Sequence, residues 1–229
     1  MLVLSACGGD DERPLTVYAA SSLTDVLEEL EPDARYNFAG SDELATQIRE
    51  GAQADVYAAA SPRYPDELHA EGFVEAPRVF ATNRLVLVVP QRNPRGVAAV
   101  EDLLEGDSKL VVAAEGVPVG DYTREVLELT GLSSILDRVV SEEENVRGVL
   151  AKVALGEADA GFVYATDAIT ADDEVMTVPI PASAQVDVRY PVAVVAETDQ
   201  QEEAERFVEL LFSPEGRQAL ERAGFGYLP

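Results

Sequence analysis

The sequence predicts an α/β fold built as two lobes, the first interrupted by the second, and three observations carry that reading. From Leu15 onward, short β-branched runs alternate with amphipathic stretches, the pattern of strands feeding helices. Apolar residues recur at helical spacing in Leu23, Val26, Leu27 and Leu30, and again in Val146, Val149, Leu150 and Val153, so each stretch buries one face. Two runs, Leu85–Pro90 and Tyr190–Ala196, are apolar without alternation; this marks strands buried on both faces and makes them candidate connections between lobes.

Taken in order, strands are expected at Leu15–Ala19, Arg35–Phe38, Asp55–Ala59, Leu85–Pro90, Leu110–Ala114, Ala160–Tyr164 and Val175–Pro179, with the further run at Tyr190–Ala196. Their alternation with helices favours parallel pairing. Gly131 and Gly156 follow helical stretches where a C-terminus wants a residue tolerant of positive φ. Two terminal helices, about Gln201–Phe212 and Pro214–Ala223, return to the first lobe. The expected division is 1–14 as leader and tether, 15–88 with 191–229 as lobe 1, and 89–190 as lobe 2. The cleft between lobes is the default site.

Composition removes most competing chemistries. The chain has 229 residues, 47% of them hydrophobic, with 43 acidic against 17 basic side chains and a formal charge of −26. No basic stripe interrupts the acid excess, so phosphate backbones find no clustered cations and nucleic acid is not expected as a partner. One cysteine and one histidine exclude a disulfide framework, an iron–sulfur cluster and a Cys/His zinc site. No stretch reaches the roughly 18–20 apolar residues of a membrane-spanning helix. The beginning, Met1-Leu2-Val3-Leu4-Ser5-Ala6-Cys7 followed by Gly8-Gly9-Asp10-Asp11, resembles a bacterial lipobox. It implies a lipid on the Cys7 thiol, a flexible tether, an extracytoplasmic location and membrane contact only through that lipid.

Four strand-to-helix junctions place a small or capping residue just before an amphipathic helix. Ser22 stands as an N-cap with Asp25 three residues on, a capping-box arrangement, and Ser41 opens the helix after Phe38-Ala39-Gly40. Val117-Pro118-Val119-Gly120 and Glu144-Asn145-Val146 are the other two. Helix N-termini carry unpaired N–H groups and a partial positive charge, so several facing one cleft form an anion site. Each junction taken singly is better explained as ordinary capping. Tyr164, ending a buried strand, needs a partner for its hydroxyl, which either the protein interior or a bound oxyanion could supply. Asp42 and Glu43 must point away from such a pocket.

Val17-Tyr18-Ala19-Ala20-Ser21-Ser22-Leu23-Thr24-Asp25, Gly51-Ala52-Gln53-Ala54-Asp55-Val56-Tyr57, Asn83-Arg84-Leu85, Glu144-Asn145-Val146-Arg147 and Gly156 through Tyr164 together resemble the substrate-binding proteins of molybdate ABC importers. The similarity runs in order over nearly all of Leu15–Phe225. It implies a two-lobed type II periplasmic-binding-protein fold and a tetrahedral oxyanion, molybdate or tungstate, held by Ser22, Ser41, Val119, Val146 and Tyr164. Val119 and Val146 would serve through their amides, and molybdenum would be bound only within its oxyanion. The resemblance further implies a monomer that delivers to a membrane permease, with no cofactor and no catalysis. The alternatives are a receptor for sulfate or phosphate and, from another class, a secreted serine hydrolase. The hydrolase lacks a base, because His69 lies on an acidic helix that reads as solvent-facing.

Overall fold

The computed structural model describes residues 13–228, so Cys7 and its tether lie outside the described residues. In chain order the strands are β1 (Thr16–Ala20), β2 (Arg35–Ala39), β3 (Val56–Ala58), β4 (Arg78–Asn83), β5 (Leu85–Pro90), β6 (Leu110–Ala113), β7 (Val139–Glu143), β8 (Ala160–Tyr164), β9 (Val175–Pro179) and β10 (Val188–Val194). The α-helices are α1 (Thr24–Leu30), α2 (Ser41–Arg49), α3 (Arg63–Glu71), α4 (Pro118–Leu129), α5 (Val146–Ala154), α6 (Ala165–Ile169), α7 (Gln201–Phe212) and α8 (Pro214–Arg222). The two terminal helices fall within one residue of their expected bounds.

The strands form two five-stranded sheets, ordered β2-β1-β3-β10-β4 and β7-β6-β8-β5-β9, one per lobe. Both repeat one plan. Three parallel strands, the earliest in the middle, are followed by an antiparallel strand that also pairs with the fifth. Parallel pairing therefore holds for half of each sheet only.

The chain changes sheet at Arg84, between β4 and β5, and again between β9 and β10. Leu85–Pro90 is thus not a connection. It lies between β8 and β9 with Leu85 through Val89 buried, so residues 85–88, expected in the first lobe, pair within the second sheet. Val188–Val194 likewise lies between β3 and β4. An unbroken apolar run reports burial on both faces, which any interior strand has, and carries no information about which sheet receives it. Two strands are unexpected. β4 runs straight into the apolar stretch after Arg84, and β7 is an edge strand ending Ser141-Glu142-Glu143 with alternate residues exposed.

One continuous core threads both lobes, from Val17, Leu23 and Leu27 to Leu87, Val111, Phe162 and Tyr190, and a smaller one under α2 and α3 holds Leu44, Ile48, Tyr57 and Leu68. Below the first sheet, the wholly buried Asp55 accepts from Arg13 at 2.7 and 2.8 Å, from the Thr16 amide at 2.8 Å and from Thr198 Oγ1 at 2.5 Å. Burial alone would raise its pKa, yet these donors hold it below the usual carboxylate range. This clamp fastens the chain to the N-terminal ends of β1 and β3.

Candidate functional site

The C-terminal ends of the six parallel strands, three from each lobe, converge on one pocket, as open α/β sheets dispose them to do. Ser22, Ser41, Val119, Val146 and Tyr164 all line it, with Ala60 and Asn145 among their neighbours. None of the lining residues is charged. The pocket is small and walled by residues of both lobes. His69 lies on the exposed side of α3, its ring nitrogen bonded to the Val74 carbonyl at 3.0 Å, away from this pocket.

Three helices begin here. Ser41 is the first residue of α2, Val146 the first of α5 and Val119 the second of α4, positions whose N–H groups have no intrahelical acceptor. No side chain caps α2 or α4. Asn145 caps α5 through the Gly148 amide at 3.1 Å, which leaves the Val146 amide uncapped. The first turn of α4 is pressed against the end of β6: a Cβ on Gly120 would stand 2.2 Å from the Ala114 carbonyl oxygen.

The expected capping box at Ser22 does not form. Ser21–Leu23 is a 3₁₀ turn and α1 starts after it without a side-chain cap, while Asp25 pairs with Arg147. The Ser22 hydroxyl is bonded instead to the Tyr190 hydroxyl at 2.9 Å. Ser41 is equally unlike a cap: its Oγ accepts the Ala60 N–H at 3.1 Å, and its carbonyl accepts from Tyr57 at 2.6 Å. Neither serine spends its hydroxyl on a helix end.

Tyr164 is 1% exposed and its hydroxyl has no hydrogen-bond partner among the described residues. Burial pushes that phenol well above its ordinary pKa, so it stays a donor. Its ring packs edge-on against Tyr190 at 5.8 Å. Tyr190, Asn83 and Ala60, which surround the donors, were not legible as site residues. Tyr190 carries only the signal of an apolar strand, and its bond to Ser22 spans 168 positions of sequence.

The lobes meet around the pocket. A Cβ on Gly40 would lie 2.6 Å from the Glu144 carbonyl oxygen across the seam. Tyr64 donates to the Gly116 carbonyl and Arg63 lies 3.4 Å from Asp121. Arg147 reaches Asp25 in the first lobe and stands 2.9 Å from Asp167 in its own. Asp167 is fully buried, and burial, only partly offset by Arg147, pushes its pKa up to about 7. Asp42 is half-buried and raised by burial, Glu43 is exposed, and neither lines the pocket.

Residues 15–226 match the family of bacterial extracellular solute-binding proteins. The molybdate-binding protein ModA of Mycobacterium tuberculosis is 37% identical over 223 residues, covering 93% of this chain and 84% of the relative. A putative ABC transporter substrate-binding lipoprotein of Bacillus subtilis, YvgL, is 31% identical, covering 96% and 89%. The periplasmic molybdate-binding protein of Azotobacter vinelandii superposes with a TM-score of 0.81 at 22% identity, covering 94% and 99% of the two chains, a likeness of fold.

Proposed function

The chain belongs to the bacterial extracellular solute-binding proteins, and from that premise we propose that it captures molybdate or tungstate between its lobes and delivers the ion to the membrane permease of an ABC importer. One observation carries this: a pocket free of charged side chains in which the buried Tyr164 hydroxyl has no partner among the described residues. The relatives named for molybdate and for ABC transport supply the substrate and the partner. A lipid on Cys7 anchors the molecule outside the cytoplasm in this reading, neither catalysis nor a cofactor takes part, and one chain acts alone.

Ser22 and Ser41 from one lobe, and Tyr164 with the Val119 and Val146 amides from the other, surround the oxyanion, so binding bridges the lobes and favours their closure. Neutral donors suffice, because a dry pocket removes competing water and lowers the local dielectric. Each hydrogen bond to a charged guest contributes about 1.5–3 kcal/mol. Sulfate, with shorter bonds to oxygen, cannot reach every donor at once. Phosphate keeps a proton near neutral pH, and a ring of donors offers that proton no acceptor. The charge of −26 acts mainly at long range, where salt screens it, so association quickens as salt is added.

Calorimetric titration tests the reading. Molybdate and tungstate are expected to bind one per chain, with sulfate and phosphate far weaker. Absence of binding by molybdate and tungstate overturns it.

A further inference from the structure

We infer that Tyr190 is a positioning and specificity-determining residue, which turns the Ser22 proton toward the pocket and so makes the site reject oxyanions that still carry a proton. This rests on the oxyanion reading above and adds a residue to it.

A chain of one-way hydrogen bonds sets this direction. Asn83 Oδ1 accepts the Arg84 N–H at 2.9 Å, which settles which end of the amide is which. Asn83 Nδ2 then donates to Thr166 Oγ1 at 2.9 Å and reaches the Tyr190 hydroxyl at 3.5 Å. An amide nitrogen cannot accept, so among the described residues the Tyr190 proton has one acceptor in reach, Ser22 Oγ at 2.9 Å. With that lone pair occupied, Ser22 presents its own proton to the pocket it lines.

Ser41 is oriented the same way by the Ala60 N–H, a backbone donor that cannot reverse. At Ser22 the direction depends on side chains. Were Ser22 to donate to Tyr190 instead, the pocket would gain a lone pair, and hydrogen phosphate would find a place for its proton. Tyr190 is wholly buried, and its ring also supports Tyr164, so one side chain stands behind a donor from each lobe.

Tyr190→Phe keeps the ring and frees the Ser22 hydroxyl to rotate. Asn83→Asp places an acceptor opposite Tyr190, drawing its proton away from Ser22 and reversing the chain. Molybdate binding, and its displacement by phosphate at pH 8, are measured by calorimetry for the wild type, both variants and the Ser22→Ala/Tyr190→Phe pair. The expected result is that the ratio of phosphate to molybdate dissociation constants falls about tenfold in Tyr190→Phe and further in Asn83→Asp. With Ser22→Ala as background, Tyr190→Phe should leave the ratio unmoved. Equal weakening of both ions, or an unchanged ratio in variants that melt like the wild type, overturns the inference. Should Tyr190→Phe fail to fold, Asn83→Asp carries the same readout. A wild type that binds no molybdate overturns the proposed function instead, and the two failures are separable.

Discussion

Each lobe completely buries one aspartate, and the two are treated in opposite ways. Asp55 in the first lobe is surrounded by donors from Arg13, Thr16, Thr198 and Gln200. Asp167 in the second has Arg147 at 2.9 Å, but neither of its oxygens makes a well-formed hydrogen bond. The pocket hydroxyls divide the same way: Ser22 and Ser41 are engaged from behind, while Tyr164 has no partner among the described residues. Asp42 Oδ1 apart, the first lobe's buried side-chain groups here each have a protein partner, whereas the second holds a hydroxyl with none among the described residues. Buried polar groups cost most when left unpaired, so the second lobe is the one whose stability should respond most to occupancy.

The sharpest way to break this contrast is to stop the lobes meeting. Gly40→Ala places a methyl 2.6 Å from the Glu144 carbonyl oxygen across the seam and as close to the Asp42 carboxylate, a flexible side-chain end in its own lobe. Losing two donors at about 1.5–3 kcal/mol each lowers affinity by about a hundredfold or more, while ligand-free melting changes little. Calorimetry together with thermal melting reads both.

Next, Ser41→Ala and Tyr164→Phe separate an engaged hydroxyl from an orphan. Ser41→Ala strands the buried Ala60 N–H, so the empty protein should lose about 1–3 kcal/mol and molybdate should bind more weakly as well. Tyr164→Phe should weaken molybdate by tenfold or more, yet raise the melting temperature of the empty protein by removing an unpaired hydroxyl. Two variants that both lower ligand-free stability would erase the distinction between lobes.

The smallest effect is in the response to pH. Asp167 is raised to about 7, so the folded protein holds its proton more tightly than the unfolded chain does. That contribution is complete below about pH 4 and is lost as pH rises toward 7. Asp55 is lowered, and its contribution is present above about pH 4 and lost as acid is added. Asp167→Asn should therefore flatten the decline in melting temperature between pH 4.5 and 7.5 and leave the acid limb intact. A decline of unchanged slope would remove Asp167 as its source.

What the sequence disclosed follows from the range of each signal. Ser41 and Val146 begin helices whose apolar periodicity is local, so those junctions are legible. Ser22 is legible as a residue near a helix start but not in its role, because the group that competes for its hydroxyl comes from β10. Asp167 lies in an unremarkable first turn of α6, and its burial depends on packing between lobes. β7 escapes notice because an edge strand needs only one apolar face, and Ser141-Glu142-Glu143 reads as a solvated run.

The Arg13–Asp55 clamp lies at one pole of the first lobe and the pocket at the other, with β1, about 17 Å long, between them. In the proposed reading, a lipid on Cys7 would hold the molecule by the pole opposite the pocket.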